Sequence, residues 1–393
     1  MNPRILILAF ASFAFGTQTY VFAGLLQRLA DDLSVSIGTA GQLASVFAIV
    51  YAVAAPLLAG AVASHDRKRI LTGALLVLCI LNVAAAYMPD FRSLLTIRVL
   101  SGLASALVMP VAAAAAATLV PPDRRGRALS IVLGGLVLSF VLGIPLGSVI
   151  GDAFGWRATF TFSGVLALLA AVAVGAVLPP VPNADRAGLK VLATAFERHV
   201  LTNLILTMTA FGATFCVIAF VGPVVTAISG LEGRGVGLMQ AVIGVGMIVG
   251  LVVGGIIADS RRSGPVVAAA FLVIAVTLAG YSGLISEGER AGSAASIAGL
   301  VAVMLLGAAA LFTLGPVIQT RLVELAPTAV TVVLALNASM IFLGQGLGAI
   351  IGGLAVETFG LASVGLAGAV VAVLGFLFAL AAPRSRPATA AAE

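Results

Sequence analysis

The sequence predicts an all-α membrane protein with twelve transmembrane helices in two pseudo-symmetric six-helix bundles. Of its 393 residues, 61% are hydrophobic and only 9% are charged, whereas about 25% of residues are charged in a typical soluble protein. Apolar runs, each close to the roughly 20 residues that cross a bilayer as a helix, are separated by short polar segments. The longest polar segment, 179–200, leaves six such runs on either side.

The loops between the twelve runs carry charges that predict the orientation of the chain. Fifteen of the 21 Lys and Arg residues fall on the side that carries both termini, five fall on the opposite side, and Arg98 lies inside the fourth run. Because cationic loops stay in the cytoplasm, we expect both termini there, and we expect the first run to be a retained span. The predicted spans lie near 5–28, 39–62, 70–88, 94–119, 129–150, 158–179, 201–226, 237–258, 265–285, 295–318, 329–351 and 361–382.

The polar segment 179–200 is expected to be a cytoplasmic linker between an N-terminal bundle, 1–178, and a C-terminal bundle, 201–393, with a short cytoplasmic tail. Its stretch 189–196 fits a short amphipathic surface helix as well as a plain loop.

The halves repeat weakly. Gly151-Asp152-Ala153-Phe154-Gly155 closes the fifth run, and Val356-Glu357-Thr358-Phe359-Gly360 closes the eleventh. Glycine-rich helices occur in any polytopic protein, so the shared Asp/Glu-x-Phe-Gly pattern is the more specific sign of internal duplication.

Small residues recur at every fourth position of the fifth run, which predicts a close contact with another helix. Pro145 in this run removes one backbone donor and is expected to bend the helix. The eighth run carries a similar ridge, and we expect the two ridges to face each other, although such ridges also occur in ordinary packing inside one bundle. The small face of the second run is expected to meet the eleventh. The two ridges comprise Gly135, Ser139, Gly143, Gly147, Gly151 and Gly155, and Gly246, Gly250 and Gly254.

Polar side chains inside the apolar runs are the candidate functional residues, because burying them in lipid costs free energy. Arg98 is expected either to face a cavity and contact substrate or to bond backbone carbonyls within the first bundle. Thr17 and Tyr20 share one face of the first helix, whereas Thr19 lies on another. Single Thr residues often bond their own helix backbone. Four phenylalanines are expected to be packing rather than a substrate cage, namely Phe140, Phe211, Phe215 and Phe312. The candidate cavity residues are Thr17, Thr19, Tyr20, Arg98, Asn203, Thr214, Thr313, Asn337 and Gln345.

The sequence carries no motif for catalysis or for a cofactor. It has no P-loop, no dinucleotide fingerprint and no metal-spaced cluster of His and Cys. Cys79 and Cys216 both lie inside apolar runs, so no disulfide framework is indicated. The net charge of +6 arises from loop cations and does not indicate nucleic acid. We therefore expect a lipid-embedded protein that is not an enzyme and that uses neither a cofactor nor a metal.

Several stretches carry specific motifs. The fifth run contains Gly143-Ile144-Pro145-Leu146-Gly147 followed by Phe154-Gly155-Trp156-Arg157, and the fourth contains Leu95-Thr96-Ile97-Arg98-Val99-Leu100-Ser101-Gly102. With these motifs, and with similar stretches at 16–26 and 337–348, the whole chain resembles the major facilitator superfamily, in its drug and sugar efflux branch of arabinose-efflux-like permeases and drug:proton antiporters. The resemblance implies two six-helix domains around a central cavity, lined by helices one, four, seven and ten, that opens alternately to either side. It also implies that helix five meets helix eight and helix two meets helix eleven.

The resemblance further implies a monomer in the bacterial inner membrane that exports a small organic compound, a sugar or a drug, in exchange for protons. One departure bears on that coupling. Many relatives carry Glu in the first helix where this chain has Thr19, and no Asp or Glu lies well inside any run, although proton relays normally use such carboxylates. Two alternatives therefore stay open: a facilitator that is uncoupled or differently coupled, and a non-transporting receptor on the same fold.

The turn after the second helix is the other departure. The family pattern Gly-x-x-x-Asp-Arg-x-Gly-Arg-Lys keeps Gly60 but has Ser64 at the Asp position and Arg67 at the second Gly position, so the acid is missing or displaced to Asp66. The matching turn of the second half keeps Asp259, which is expected at the positive N-terminal end of the fifth helix; a solvated loop charge is the alternative. The residues expected to couple conformational change are Gly60, Ser64, Asp66, Arg69, Arg124, Gly143, Pro145, Gly147, Asp259 and Arg261.

Overall fold

A computed structural model describes residues 3–62, 65–121, 124–181, 197–258, 263–287, 291–326 and 330–381. Within these residues lie twelve helical spans that are long and apolar enough to cross a bilayer, which confirms the predicted all-α membrane fold. In the first half, span 1 comprises Pro3–Tyr20, Ala23–Leu25 and Leu26–Asp32; span 2 is Ile37–Ala61; and span 3 is Arg67–Ala86. Span 4 comprises Phe91–Ser105 and Val108–Thr118; span 5 comprises Arg125–Leu138, Ser139–Gly143 and Ile144–Phe154; and span 6 is Trp156–Val177. Spans 7 to 12, the second half, comprise Arg198–Ile218, Arg234–Ala258, Ser263–Ser286, Ala294–Leu325, Val330–Phe359 and Ser363–Ala381, with a short helix Val221–Ser229 after span 7.

The two halves end their fifth and eleventh spans in the same way. Gly155 and Gly360 follow these spans with φ angles of 84° and 82°, in the left-handed region that favours glycine. Both glycines belong to the repeated Asp/Glu-x-Phe-Gly motif, so the motif stops two equivalent helices at one end of the bundle. We call this the predicted outer end, because the charge distribution predicts that the loops 33–36, 155, 230–233 and 360–362 lie outside the cell.

Spans 1 and 7 both break near the predicted outer end, and their breaks lie against each other. Span 1 passes through a 3₁₀ turn at Ala23–Leu25, and span 7 is followed after a short turn by the helix Val221–Ser229. A Cβ placed on Gly222 would lie only 2.8 Å from the carbonyl oxygen of Gly24 and 2.9 Å from that of Ala23. The halves therefore approach backbone to backbone at these breaks.

Span 5 contains the irregularity predicted at Pro145. A π-helical turn, Ser139–Gly143, separates the two α-helical parts of the span, and Pro145 follows as the second residue of the outer part. Proline cannot donate to the carbonyl four residues earlier and its ring crowds that group, so the helix widens just before it. A π turn of this kind is often found at functional sites.

The small-residue ridge of span 5 packs on span 1, inside the same half. A Cβ on Gly135 would overlap the carbonyl group of Ala9, and one on Gly143 would overlap the Thr17 side chain. The prediction that this ridge faces the ridge of span 8 is therefore wrong. Spans 5 and 8 do meet, but through Gly237 of span 8, whose Cβ would lie 3.1 Å from the Pro145 carbonyl oxygen.

The small-residue ridges of spans 8 and 11 also pack against helices of their own half. Gly246, Gly250 and Gly254 of span 8 lie against the backbone of span 10 at residues 305, 309 and 313. In span 11, Gly344, Gly348 and Gly352 lie against the backbone of span 7 at residues 208, 212 and 216. Span 11 therefore packs on span 7 in the second half as span 5 packs on span 1 in the first half. This shared arrangement is the structural form of the internal repeat. The predicted contact of spans 2 and 11 is made by other glycines, because Gly346 approaches the Ser45 carbonyl oxygen and Gly353 that of Gly38.

Arg67, which stands where the family pattern has glycine, holds the end of span 4. Its side chain is 6% exposed, and its guanidinium donates to the Ala114 carbonyl at 3.2 Å and to the Thr118 hydroxyl at 2.6 Å. Arg125 donates to the carbonyl of Ala117, in the last turn of the same helix, at 3.2 Å. Cations stabilise the negative C-terminal end of a helix, so both arginines fix the end of span 4.

Candidate functional site

Five aromatic side chains from spans 1, 5, 7 and 10 form a continuous group between the two halves, which we call the aromatic cluster. The Tyr20 ring lies 5.2 Å from Phe140 and 5.7 Å from Phe215, measured between centroids. Phe312 lies 6.4 Å from Phe140 and 6.1 Å from Phe211. These separations are typical of favourable aromatic pairs. Both halves therefore contribute to one apolar wall, and the π turn of span 5 presents Phe140 to it.

Two hydrogen bonds cross from one half to the other beside the aromatic cluster. The Tyr20 hydroxyl donates to the side-chain oxygen of Gln345 at 2.8 Å, and the Ser148 hydroxyl donates to that of Gln240 at 2.6 Å. Gln345 and Gln240 are only 5% and 4% exposed. A buried amide needs such a partner, so the two bonds fix the relative position of the halves in this conformation.

A narrow cavity, with room in this conformation for about one water molecule, lies at this junction. Its walls are mostly apolar, with a phenol and an amide as the polar groups, and no charged side chain is among its lining residues. Sites of this composition bind uncharged molecules that combine an apolar body with a few hydrogen-bonding groups. The lining residues are Tyr20, Ala23, Phe140, Ile144, Ile218, Val221, Gln240 and Ile243.

Of the predicted cavity residues, the structure brings Tyr20 and Gln345 together. The four threonines among the candidates each donate to a carbonyl of their own helix, as isolated threonines commonly do. Thr17 is fully buried against Gly143 and does not line the cavity with Tyr20, although the two share a helix face. The hydrogen bonds run from Thr17 to Phe13 at 2.9 Å, Thr19 to Phe15 at 2.7 Å, Thr214 to Ala210 at 2.9 Å and Thr313 to Ala309 at 2.8 Å.

The two predicted asparagines lie inside the second half. Asn337 of span 11 accepts a hydrogen bond of 2.7 Å from the Thr207 hydroxyl of span 7, and the Asn203 amide donates to the His199 carbonyl at 2.9 Å. They are 4% and 6% exposed. Their amides face the protein interior, as the cost of unpaired amides in lipid requires, but they stand apart from the cavity between the halves.

Arg98 is 1% exposed and lies in the interior of the first half. Its guanidinium donates to the carbonyl oxygens of Leu43, Gln18 and Thr19 at 3.3, 3.4 and 3.1 Å. Its carbon atom also lies 4.8 Å from the Phe22 ring centroid and 4.3 Å from that of Phe47, within the range of a cation–π contact. This geometry matches the second of the two expected roles, an arginine that bonds backbone carbonyls and ties spans 1, 2 and 4 together.

The predicted coupling residues are dispersed. Gly143, Pro145 and Gly147 lie in span 5 where it packs on span 1 and span 8. Asp66 caps its own helix, because its carboxylate accepts from the backbone N–H of Arg69 at 3.0 Å. Gly60 is in the last turn of span 2 and Arg124 directly precedes span 5. The predicted residues Ser64, Asp259 and Arg261, and most of the predicted linker 179–200, lie outside the described residues.

The sequence predicts that the phenylalanines of the aromatic cluster are packing, and their contacts with one another agree with packing as well as with a binding wall. Gln240 and Ser148 are not among the residues that the sequence singles out. A signal for Gln240 did exist, since it is an amide inside an apolar span, which is the same argument that selected Gln345.

Carboxylates lie away from the aromatic cluster. Every Asp and Glu among the described residues is at or beyond the end of a span, and no metal-binding group of His, Cys, Asp and Glu is found among these residues. An anionic site for a cation or a metal is therefore absent from the described part of the junction. The described carboxylates are Asp31, Asp32, Asp66, Asp90, Asp152, Glu197, Glu232, Glu287, Glu324 and Glu357.

Comparison with known proteins identifies the family. The chain is 35% identical to a chloramphenicol resistance protein of Streptomyces lividans over 326 residues, which cover 82% of this chain and 81% of the relative. It is 29% identical to the inner membrane transport protein YdhP of Escherichia coli over 391 residues, which cover 99% and 98%. Among solved structures, an inward-facing, occupied bacterial homologue of the human lysosomal transporter Spinster matches with a TM-score of 0.78 at 17% identity, over 97% of this chain and 96% of that one. Residues 8–331 match the Major Facilitator Superfamily model, so the chain is a membrane transporter, not an enzyme, and belongs to that superfamily.

Proposed function

We propose that this transporter exports small, uncharged organic compounds by alternating access, and that the aromatic cluster with the Tyr20–Gln345 pair binds them. The supporting observation is the position of this pair, which joins the two halves by one hydrogen bond beside the cavity. A compound that takes the place of this bond is held by both halves at once. Binding and release of the compound are then linked to the relative movement of the two halves.

The lining of the site favours an amphipathic, drug-like compound over a sugar. A sugar presents many hydroxyl groups, and each needs a partner when it is buried. The aromatic cluster offers rings for stacking, whereas the neighbouring polar groups within the described part of the chain are the Tyr20 phenol, the amides of Gln240 and Gln345, and Ser148. The relative from Streptomyces lividans, a chloramphenicol resistance protein, supports the same class of substrate.

Proton exchange is our proposal for the driving force, on the strength of the resemblance to drug:proton antiporters. A second candidate, an uncoupled or differently coupled facilitator, is favoured by a specific observation. All described carboxylates lie at span ends, so no described acid in the middle of the membrane supplies the usual proton carrier. The same proposal includes two halves that move as bundles and a monomeric protein. It places the protein in the bacterial inner membrane with both termini in the cytoplasm.

The test is flux in proteoliposomes containing the purified full-length protein. We expect uptake of chloramphenicol, used as an uncharged aromatic probe, and much slower uptake of D-xylose. The Phe312→Ala variant is expected to lower chloramphenicol flux about tenfold, because it removes one wall of the site. Phe359→Ala is the matched control, since Phe359 is 82% exposed. Faster flux of the sugar, or equal flux through both variants, would contradict the proposed substrate class.

An imposed pH gradient separates the two modes of coupling. An antiporter accumulates the probe against its concentration gradient when protons move in the opposite direction, and a facilitator reaches equal concentrations on both sides. Absence of flux for every probe, with correctly folded protein, would contradict the proposed substrate class. These three outcomes are distinct in one assay.

A further inference from the structure

The repeated Asp/Glu-x-Phe-Gly motif places a carboxylate of each half against the other half at the predicted outer end. In the second half, Glu357 accepts hydrogen bonds from the hydroxyls of Ser36 at 2.8 Å and Thr39 at 3.2 Å. Ser36 directly precedes span 2, and its hydroxyl oxygen also accepts from the Thr39 backbone N–H at 3.0 Å. Glu357 therefore lies over the N-terminus of span 2, the end of a helix that attracts anions.

The equivalent residue of the first half has the reciprocal position. Asp152 lies against Gly233, which directly precedes span 8, and a Cβ added to Gly233 would overlap both of its carboxylate oxygens. The same carboxylate forms an ion pair of 2.6 Å with Arg28 of its own half. Span 8 occupies in the second half the place that span 2 occupies in the first, so the two carboxylates act on equivalent helices.

We propose that Asp152 and Glu357 are a pair of reciprocal latches that keep the predicted outer end closed, each holding the N-terminus of the opposite half's span 2 or span 8. The proposal rests on alternating access. Because the latches occupy equivalent positions, one separation of the halves at this end breaks both. Both carboxylates are partly exposed to solvent, where such contacts are weak, so the closed state is stabilised without being made permanent.

Two glycines make the close approach possible. A Cβ on Gly38, in the first turn of span 2, would lie 2.6 Å from the Glu357 Cγ and 2.8 Å from the Gly353 carbonyl oxygen. Gly233 has a φ angle of 48°, which side-chain-bearing residues rarely adopt. Any side chain at these two positions would push the latches apart. At each latch, therefore, a glycine of one half leaves the space that the carboxylate of the other half occupies: Gly38 for Glu357 and Gly233 for Asp152.

The test measures opening of the predicted outer end without any substrate, so its failure is distinct from failure of the proposed function. In a Cys79→Ser/Cys216→Ala background, the reporter is Ala23→Cys, which lines the cavity and is 7% exposed. Intact cells are treated with a membrane-impermeant maleimide. We expect Asp152→Ala/Glu357→Ala to raise the labelling rate about tenfold and each single variant to raise it about threefold, as loss of two weak contacts shifts the population.

Two controls make the result decisive. Asp31→Ala removes a carboxylate at the same end whose side chain accepts from Gln27 of its own helix, and it is expected to leave labelling unchanged. Tyr87→Cys, 78% exposed, reports whether this end faces the outside. Gly38→Ala keeps both carboxylates and is expected to raise labelling, whereas Gly73→Ala, with nothing within 4 Å of its added Cβ, is not. Labelling of the double variant and of Gly38→Ala at the rates of their controls would overturn the proposal.

Discussion

The Tyr20 hydroxyl donates a hydrogen bond of 2.8 Å to the Gln345 side-chain oxygen, across the junction between span 1 and span 11. The sequence places these residues in different repeats, and each one alone is an isolated polar group in an apolar helix. Among the residues that the structure describes, only their pairing satisfies the Gln345 oxygen in this conformation. The bond therefore combines a structural role with a position beside the cavity.

Tyr20→Phe is expected to lower stability, because it leaves the Gln345 oxygen buried without its donor. An unsatisfied buried acceptor costs about 1–3 kcal/mol. Replacing both partners, in Tyr20→Phe/Gln345→Leu, is expected to restore part of the loss, with a coupling energy of about 1 kcal/mol. Thermal unfolding of the four proteins in detergent measures the cycle, and Tyr87→Phe is the exposed control. Strictly additive effects would contradict the bond.

Arg98→Ala is expected to destabilise the first half as well as to stop transport. The variant removes three hydrogen bonds to carbonyls and the contacts with Phe22 and Phe47, a loss of at least about 2 kcal/mol. Arg98→Lys is expected to recover little, because an ammonium group cannot reproduce the planar fork of a guanidinium. Arg92→Ala, in an exposed position of the same helix, is the control. Full stability of Arg98→Ala with lost transport would instead support a cavity role.

Gly135→Ala and Gly134→Ala form a matched pair in span 5. A Cβ at residue 135 would overlap the Ala9 carbonyl, whereas one at residue 134 meets nothing within 4 Å. Forcing extra volume into a close contact costs about 1–3 kcal/mol. We therefore expect a clear drop in the unfolding temperature for Gly135→Ala and none for Gly134→Ala, because alanine favours the helix. Equal unfolding temperatures would show that the ridge does not pack on span 1.

A disulfide between spans 5 and 8 is expected to stop turnover. A Cβ on Gly237 would lie 3.5 Å from the Ser148 Cβ, a spacing that a disulfide bridges. In a background without native cysteines, Gly237→Cys/Ser148→Cys links the two halves, and its flux is expected to return on reduction.

The matched control links two helices of one half. Gly307→Cys/Thr277→Cys joins spans 10 and 9, where the Cβ separation would be 3.5 Å as well. This variant is expected to transport normally when oxidised, since both helices move together. Transport at full rate by the oxidised Gly237→Cys/Ser148→Cys protein would mean that the halves do not separate along this seam.

The positions of single helices followed from the sequence, because each depends on a local property. An apolar run of about 20 residues specifies a span wherever it occurs, and the break of span 5 followed from Pro145 alone. The burial of Gln345 and Asn337 followed from the cost of an amide in lipid. The repeated motif around Asp152 and Glu357 correctly indicated two halves with equivalent helix ends.

The tertiary structure decided which surfaces meet. Four-residue spacing identifies a small face on span 5, but it does not determine the rotation of that helix about its axis, so Gly135 and Gly143 lie on span 1 rather than span 8. Likewise, a phenylalanine is equally suited to lipid, to packing or to a binding site until its neighbours are known. The hydrogen-bond partners of Arg98 are backbone carbonyl groups. Because every residue carries such a group, the sequence does not identify these partners. The sequence by itself determined the spans and the repeat, and only the packing of distant helices decided the site, because contacts between them depend on three-dimensional orientation that no local pattern encodes.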